Sequence, residues 1–268
     1  MANAASESLQ HKAESELLVD LVIPVLNEAH VLEKSVTTVR RYFGHNVRWR
    51  WRVVVVDNGS TDGTSDVGRR LAAEFPDVQF VQLAQRGRGR ALRQAWTQSD
   101  ADIMTYMDVD LSTELEAMPK LIEGVRSGRY DLATGSRLHR DSHTTRGFKR
   151  DFISRCYNVI IKLALWTSFT DAQCGFKAVS RRVVKEVVPA IRDQAWFFDT
   201  ELLVLAEKHG YRIMDQPVTW VDDPDSRVRI VKTAWEDIKG VARLRWLLWR
   251  QAFSPDSVHA PITRRVTP

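Results

Sequence analysis

The chain has 268 residues, of which 44% are hydrophobic and 27% are charged, as in an ordinary soluble globular protein. Its net charge of +5 favours an anionic partner such as a nucleotide, a phosphate, a nucleic acid or an acidic lipid surface, and a solvated surface with excess arginine explains it equally well. Two cysteines exclude a disulfide framework, and no uncharged apolar run reaches the roughly 18 residues of a membrane span.

Strands and helices alternate through the first half of the chain. Apolar, β-branched runs predict strands over Leu17 to Leu26, Val53 to Val56, Val78 to Leu83 and Ile103 to Met107. Helical spacing predicts helices over Val31 to Phe43, Ser65 to Phe75 and Ala91 to Gln98, with a basic loop over Arg86 to Arg90. This alternation predicts an α/β fold with a mostly parallel sheet and helices on both faces.

Acidic residues follow three of these strands, namely Glu28, Asp57 and the pair Asp108 and Asp110. In such sheets ligands bind beyond the carboxyl ends of the strands, so these side chains are expected to converge. Asp108 and Asp110 are one residue apart and would face the same side of a strand. They suit Mg²⁺ or Mn²⁺ that a diphosphate also holds, or they simply end the strand and begin a turn.

The second half of the chain has a less regular pattern. Helices are predicted over Glu116 to Arg126, Phe152 to Trp166, Arg181 to Ala190, Phe198 to His209 and Ile230 to Phe253. Strands are predicted over Tyr130 to Thr134 and, at a sheet edge because of Pro217, over Tyr211 to Trp220. A mobile basic loop over His139 to Arg150 and a polar turn over Asp171 to Lys177 are predicted between them.

The predicted organisation has a disordered leader at 1–16, a catalytic domain at 17–228, an amphipathic helix at 229–253 and a disordered tail at 254–268. Within the domain, residues 139–168 supply a loop and a further amphipathic helix. Apolar stripes on such helices usually pack on a sheet. However, Trp246 to Arg250, near Arg243 and Arg245, has the aromatic and basic residues of a helix that lies on a membrane surface.

Several common chemistries lack their motif. The chain has no Gly-x-x-x-x-Gly-Lys-Ser/Thr phosphate loop, no Gly-x-Gly-x-x-Gly after the first strand and no Gly-x-Ser-x-Gly nucleophile elbow. It also has no histidine pair at metal-ligand spacing. A nucleotide site with acidic residues and a metal ion remains as the prediction.

Three segments together resemble the family 2 inverting glycosyltransferases, which have a Rossmann-like GT-A fold. They are Val22 to Glu28, Val55 to Thr64 and Asp108 to Asp110. The second half resembles polyprenyl-phosphate sugar synthases, above all dolichyl-phosphate β-glucosyltransferases and next dolichyl-phosphate mannose synthases. That likeness lies in Gly135 to Arg137, Lys149 and Arg150 with Ser154 and Arg155, Asp171 to Lys177, and Trp196 to Leu202.

The resemblance implies a role for each matching residue. Asp108 and Asp110 hold Mg²⁺ or Mn²⁺ on the donor diphosphate, and Asp57 reads the base. The nucleotide pocket further comprises Pro24, Leu26, Glu28, Gly59, Ser60, Gly89 and Val109. Arg137 and Arg227 neutralise phosphates, Ser226 is a further phosphate contact, and Arg150 with Lys149 receives the acceptor phosphate. Gln173, Lys177 and Glu201 contact a sugar or have structural roles.

The expected function is therefore transfer of glucose from UDP-glucose to a polyprenyl phosphate, by a cytoplasmic enzyme peripheral to the inner face of the membrane, with no nucleic-acid partner. A membrane protein is a further expected partner. The alternatives are a GDP-mannose donor, a soluble saccharide acceptor, or a non-catalytic module that binds sugar nucleotides or nucleic acid. Ser112, where mannose synthases often have glutamine, weakens the mannose alternative. The segment Gln85 to Gly89 departs from the usual Asn-x-Gly-Lys-Gly and leaves the donor-phosphate contacts open.

Overall fold

The computed structural model describes residues 14–145, 148–221 and 230–252, with side chains over 15–145, 151–221 and 235–250. The predicted leader lies outside these residues except for a 3₁₀ turn at Glu14–Glu16, and the predicted tail lies outside them altogether. The boundary predicted between the catalytic domain and the last helix also lies outside them.

Nine strands and eight α-helices alternate along the described residues. The strands are β1 (Leu18–Val25), β2 (Arg50–Asn58), β3 (Val78–Leu83), β4 (Ile103–Met107), β5 (Leu132–Ser136), β6 (His143–Thr145), β7 (Phe176–Ser180), β8 (Ile213–Pro217) and β9 (Thr219–Val221). The helices are α1 (Ala29–Asn46), α2 (Thr64–Glu74), α3 (Arg88–Gln98), α4 (Met118–Arg126), α5 (Phe148–Leu165), α6 (Arg181–Glu186), α7 (Phe198–Lys208) and α8 (Ile230–Ala252).

Seven of the strands form one sheet in the order β3-β2-β1-β4-β7-β5-β8. All neighbours are parallel except that β7 runs antiparallel to both β4 and β5. Strands β1, β2 and β4 are rich in buried apolar residues because helices cover both faces of the sheet. The predicted α/β class, the mostly parallel sheet and the helices on both faces are confirmed.

The two helix layers fill two separate cores. One core joins the sheet to α1, α2 and α4, with Leu32, Phe43, Leu71 and Leu121 among its buried side chains. The other joins it to α3, α5, α6, α7 and α8, with Trp96, Ile161, Leu202 and Leu244. The carboxyl ends of β1, β2 and β4 therefore lie at one sheet edge between two well-packed layers.

Strand β7 is the main error of the sequence prediction. Phe176 and Lys177 were expected to end a polar turn, but they begin a fully buried strand in the middle of the sheet. Tyr106 in β4 lies opposite Lys177. The pattern could not predict this strand because Lys177 interrupts its short apolar run, and burial of this lysine depends on its ion pair with Asp199.

Three predicted boundaries were also wrong. Helix α3 begins at Arg88, so it includes the last three of the five residues of the expected basic loop. The expected mobile loop over His139 to Arg150 contains β6 and the first turn of α5. The expected single strand over Tyr211 to Trp220 is split into β8, at the sheet edge as predicted, and β9, which pairs with β6 in a separate two-stranded sheet.

Helices α5 and α8 expose much of their apolar surface. The apolar stripe predicted for α8 consists of Val231, Ala234, Trp235, Ile238, Val241, Ala242, Trp246 and Trp249. Among those whose side chains are described, only Val241 is buried, whereas Trp235, Ile238, Trp246 and Trp249 are exposed. Its buried face has Asp237, Gly240, Val241 and Leu244. Helix α5 buries Tyr157 and Ile161 but exposes Phe152, Ile153 and Ile160. Within the described ranges, no helix has the length and apolarity to cross a bilayer.

Candidate functional site

The loops after β1 and β2 are tied together at the carboxyl edge of the sheet. The Asn27 N–H donates to the Ser60 hydroxyl at 2.8 Å, and the Glu28 N–H donates to the Thr64 hydroxyl at 2.8 Å. Asn27 has φ of 58°, a left-handed conformation that asparagine tolerates better than most residues. Glu28 and Ser60, both predicted nucleotide contacts, are therefore brought together.

Asp57 lies at this edge, but its carboxylate is fully buried. It accepts hydrogen bonds from the Ser60 N–H at 2.9 Å and from the Ser65 hydroxyl. Gly59 follows with φ of 89°, which favours glycine. Both Asp57 oxygens thus organise the turn, and the reading of a base by Asp57 stays a prediction.

The other predicted nucleotide contacts are placed less uniformly. Pro24 and Leu26 are half-buried at the end of β1, and Val109 is buried beside the acidic pair. Gly89 lies where a Cβ atom would approach Phe198 to 2.6 Å, so glycine is needed there for close packing of α3 on α7. The nucleotide contacts of all four residues stay predictions.

Asp108 and Asp110 follow β4 directly, as predicted. Arg88 Nη2 donates to Asp108 Oδ1 at 2.7 Å, and the exposed Asp110 accepts from the Ser112 N–H at 2.9 Å. Burial raises the pKa of Asp108 to about 6, although the Arg88 guanidinium acts in the opposite direction. Leu111 then turns the chain sharply with φ of 52°.

Arg137, at the end of β5, is held by a partner that the sequence did not identify. Its Nε and Nη2 atoms donate to Asp171 at 2.7 and 3.0 Å, and its backbone N–H donates to the same carboxylate. Asp171 is fully buried, and the guanidinium lies 5.6 Å from the Trp220 ring centre. The orientation of Arg137 is therefore fixed, and its contact with a phosphate stays a prediction.

A buried polar network lies beneath the acidic pair. The Tyr106 hydroxyl donates to Asp199, and burial and Asp199 raise the pKa of Tyr106 well above its usual value. Lys177 Nζ lies 3.0 Å from Asp199 and donates to the Cys174 carbonyl at 2.6 Å. Lys177 is fully buried, so this ion pair accounts for its charge, and its contact with a sugar stays a prediction.

Gln173 and Glu201 connect the site to α8. Gln173 Nε2 donates to Asp237 at 2.7 Å. Glu201 accepts from the Asp193 N–H at 2.9 Å and from Arg243 Nη2 at 2.8 Å. These contacts favour structural roles, which the sequence left open beside sugar binding.

Four predicted phosphate contacts cannot be placed. Lys149 and Arg150 belong to the first turn of α5, but their side chains lie outside the described part. Ser226 and Arg227 lie outside the described residues. Conversely, sequence reasoning missed Arg88 and Asp199 as site residues, although both lie in segments that it singled out for their resemblance or their departure from it.

The donor set for a metal ion consists of two carboxylates. Among the described side chains, no group of three or more His, Cys, Asp or Glu residues could hold a metal ion. Asp108 and Asp110 provide the hard oxygen atoms that Mg²⁺ and Mn²⁺ prefer. They therefore fit a cation whose remaining ligands come from a bound diphosphate and water.

Comparison with known proteins identifies relatives by sequence. The family model described as glycosyl transferase family 2 matches residues 20–188. Glycosyltransferase AglD of Haloferax volcanii is 38% identical over 251 residues, which cover 93% of this chain but only 39% of that relative. Dolichyl-phosphate beta-glucosyltransferase of Saccharomyces cerevisiae is 25% identical, over 82% of this chain and 72% of the relative.

Comparison with solved structures confirms the predicted GT-A fold. Glucosyl-3-phosphoglycerate synthase of Mycobacterium tuberculosis, in complex with Mn²⁺, UDP and glucosyl-3-phosphoglycerate, superposes with a TM-score of 0.66 at 16% identity. The match covers 90% of this chain and 83% of that one. Another crystal structure of the same enzyme contains Mg²⁺ and UDP.

Proposed function

The chain belongs to glycosyl transferase family 2, and on this basis we propose that it transfers glucose from UDP-glucose to a polyprenyl phosphate at a membrane surface, with inversion. The yeast and other dolichyl-phosphate beta-glucosyltransferases among its relatives support glucose as the transferred sugar and a polyprenyl phosphate as the acceptor. The observation that carries the lipid acceptor is the exposed apolar surface of α5 and α8.

This exposed apolar surface comprises ten side chains on the two helices and the residue after α5. They are Phe152, Ile153, Val159, Ile160, Leu163, Trp166, Trp235, Ile238, Trp246 and Trp249. Leu163 and Trp166 are 73% and 69% exposed, values that are costly for such large apolar groups in water. Exposed apolar side chains on two helices that contact each other suit the interface of a lipid bilayer.

Cations accompany the exposed tryptophans. Arg245 lies 4.1 Å from the ring centre of Trp166, and Arg250 lies 4.3 Å from that of Trp246. Lys239 lies 5.3 Å from the ring centre of Trp235. Tryptophan prefers the depth of the headgroups, and basic residues attract anionic lipid, so this combination supports a peripheral position on a membrane.

Helix α8 connects the exposed apolar surface to the segments that surround the proposed donor site. Helix α8 contacts the polar turn through Asp237 and Gln173, and α7 through Arg243 and Glu201. A Cβ atom on Gly240 would lie 2.6 Å from the Phe197 ring, so α8 also packs closely against the start of α7. A lipid phosphate bound beside this surface would thus reach the carboxyl edge of the sheet.

The chemistry needs positioning and charge neutralisation more than a base. The acceptor phosphate is already anionic at neutral pH, since the second pKa of a phosphate monoester is about 6. Its oxygen forms a bond to the anomeric carbon as the bond to the nucleoside diphosphate breaks. Asp108 and Asp110 would hold Mg²⁺ or Mn²⁺, which would stabilise the charge on the departing diphosphate. Arg137, Lys149 and Arg150 are the proposed phosphate contacts.

The direct test is nucleotide release from a panel of UDP- and GDP-sugars, with Mg²⁺ or Mn²⁺ and with or without a polyprenyl phosphate. We expect UDP release from UDP-glucose that depends on the lipid. Release from GDP-mannose would replace the donor, and release that depends only on a soluble sugar or phosphoglycerate would contradict the lipid acceptor. The location on the cytoplasmic face and a membrane-protein partner are parts of the same proposal.

A further inference from the structure

Arg88 has a defined position beside the acidic pair. It is the first residue of α3, its side chain is only 11% exposed, and its Nη2 lies 2.7 Å from Asp108 Oδ1. The guanidinium carbon lies 4.8 Å from the ring centre of Trp196 and 5.1 Å from that of Tyr106. Two aromatic rings and one carboxylate thus hold the guanidinium at the entrance to the predicted cation site.

The surrounding backbone leaves space for this ion pair. A Cβ atom on Gly175 would lie 1.9 Å from Asp108 Oδ2 and 2.6 Å from Arg88 Nη2. Any larger residue at position 175 would displace one member of the pair. The glycine of the polar turn is therefore required for Arg88 and Asp108 to meet.

Arg88 still has hydrogen-bonding capacity in this position. Its Nε atom is buried and has no hydrogen-bond partner among the described residues. Its contact with the Tyr106 hydroxyl is long, at 3.4 Å. A buried donor without a partner is costly, and an anionic oxygen atom would satisfy it.

We propose that Arg88, through its ion pair with Asp108, keeps this carboxylate from binding a free divalent cation. When the donor diphosphate binds, Arg88 turns to the diphosphate and Asp108 becomes available to the cation. Without a diphosphate, a cation bound by Asp108 and Asp110 would lie close to the positive charge of Arg88, and the repulsion would weaken its binding. A diphosphate removes this conflict because its oxygen atoms can accept from the guanidinium and ligate the cation at once. The inference rests on the proposed nucleotide-sugar donor, and it makes binding of the cation conditional on that donor.

Two equilibrium measurements on the full chain test this role without sugar or acceptor. The first is Mn²⁺ binding in the absence of nucleotide, followed by electron paramagnetic resonance. Arg88→Gln should bind Mn²⁺ about tenfold more tightly than the wild type, because the competing charge is gone. Arg69→Gln, which removes an equally charged but exposed side chain on α2, should leave the affinity unchanged. Equal Mn²⁺ affinities for Arg88→Gln and the wild type would overturn the proposal.

The second measurement is UDP binding in EDTA, followed by calorimetry. Asp108→Asn should bind metal-free UDP about tenfold more tightly than the wild type, because the carboxylate that both holds Arg88 and repels the diphosphate is gone. Arg88→Gln should bind it about tenfold more weakly, and Arg88→Lys should lie between. Unchanged or weaker UDP binding by Asp108→Asn would overturn the proposal even if Arg88→Gln failed to fold. Because no transfer is measured, failure here is distinguishable from failure of the proposed reaction.

Discussion

Helices α1 and α8 have apolar stripes of the same helical period, but they bury them to different extents. The stripe of α1, with Leu32, Val36, Val39 and Phe43, is fully covered by the sheet. On α8, Trp235, Ile238, Trp246 and Trp249 are exposed, and the face that packs against the protein contains a carboxylate and a glycine. An apolar stripe therefore shows that a helix needs a partner but does not identify that partner.

The carboxyl edge of the sheet, which we call the donor edge, differs from the contact between α8 and the rest of the protein in how its buried carboxylates are hydrogen-bonded. At the donor edge, the buried Asp57 and Asp171 use both carboxylate oxygens in hydrogen bonds. At the contact with α8, Glu201 Oε1 and Asp237 Oδ1 are buried without a hydrogen-bond partner among the described residues. Asp57 and Asp171 are thus hydrogen-bonded through both oxygen atoms, whereas Glu201 and Asp237 each keep one buried oxygen atom without a partner among the described residues.

The largest expected effect concerns the donor edge. Asp110→Ala should lower the transfer rate by about 10³-fold or more, because a proposed cation ligand is lost. Asp110 is exposed, so the melting temperature should hardly change. Asp66→Ala, which removes an exposed carboxylate from α2, is the matched control. Turnover retained by Asp110→Ala would remove this residue from the cation site.

The next effect concerns the exposed apolar surface. Replacing Leu163 and Trp249 together by glutamate should weaken binding to anionic vesicles by about 10³-fold, since burial of each large side chain contributes roughly 2 kcal/mol and about 1.4 kcal/mol corresponds to a factor of ten. UDP binding should not change. Val221→Glu alters an equally exposed apolar residue on β9 and should leave vesicle binding intact. Cosedimentation measures vesicle binding by the double variant and by Val221→Glu. Equal vesicle binding by both variants and the wild type would contradict a membrane-binding role for the exposed apolar surface.

A dye attached to Cys156 can report independently whether the exposed apolar surface contacts a membrane. It is exposed on α5, whereas Cys174 is buried and its pKa is raised to about 12 by burial, so one thiol should react. A polarity-sensitive dye on Cys156 should shift to the blue when anionic vesicles are added. An unchanged spectrum, with vesicle binding confirmed by cosedimentation, would place α5 away from the bilayer.

A smaller effect is expected where α8 joins the protein. Arg243→Ala leaves the buried Glu201 without its cation and should lower the free energy of unfolding by about 3 kcal/mol. Chemical denaturation measures this difference. Adding Glu201→Gln to the same variant should restore part of the stability, because the unpaired charge disappears. A double variant as unstable as Arg243→Ala would contradict the ion pair as the cause.

The smallest effect is a dependence of stability on pH. Burial raises the pKa of Asp237 to about 6, although the hydrogen bond from Gln173 opposes it. The folded state then binds a proton that the unfolded state has already lost, so this group should destabilise the fold as pH rises from about 4 to 6. Asp237→Asn should be more stable than the wild type at pH 8, by on the order of 1 kcal/mol. Thermal unfolding at pH 4 and pH 8 should show a difference only at the higher pH.

The sequence predicted those parts of the fold that depend on local pattern. Valine-rich runs identified β1 and β2, and the acidic residues at the carboxyl ends of β1, β2 and β4 lie at one edge of the sheet, as expected. Strand β7 was missed because Lys177 interrupts its short apolar run, and its ion-pair partner Asp199 cannot be identified from the local pattern. The same limit applied to the site, since Arg137 finds Asp171 34 residues away and Glu201 finds Arg243 42 residues away. Residue type and position predicted that charged side chains lie at this edge, but not which charges would already be paired.

The proposed reaction requires that a lipid phosphate, presented at the exposed apolar surface, receive the sugar at the donor edge. The most direct measurement is mass spectrometry of the lipid after incubation of the full chain with UDP-glucose, Mg²⁺ and anionic vesicles that contain a polyprenyl phosphate. We expect the polyprenyl phosphate to gain one hexose and Asp110→Ala to abolish the product. An unmodified lipid, in a preparation that releases UDP when phosphoglycerate is supplied, would contradict the proposed reaction.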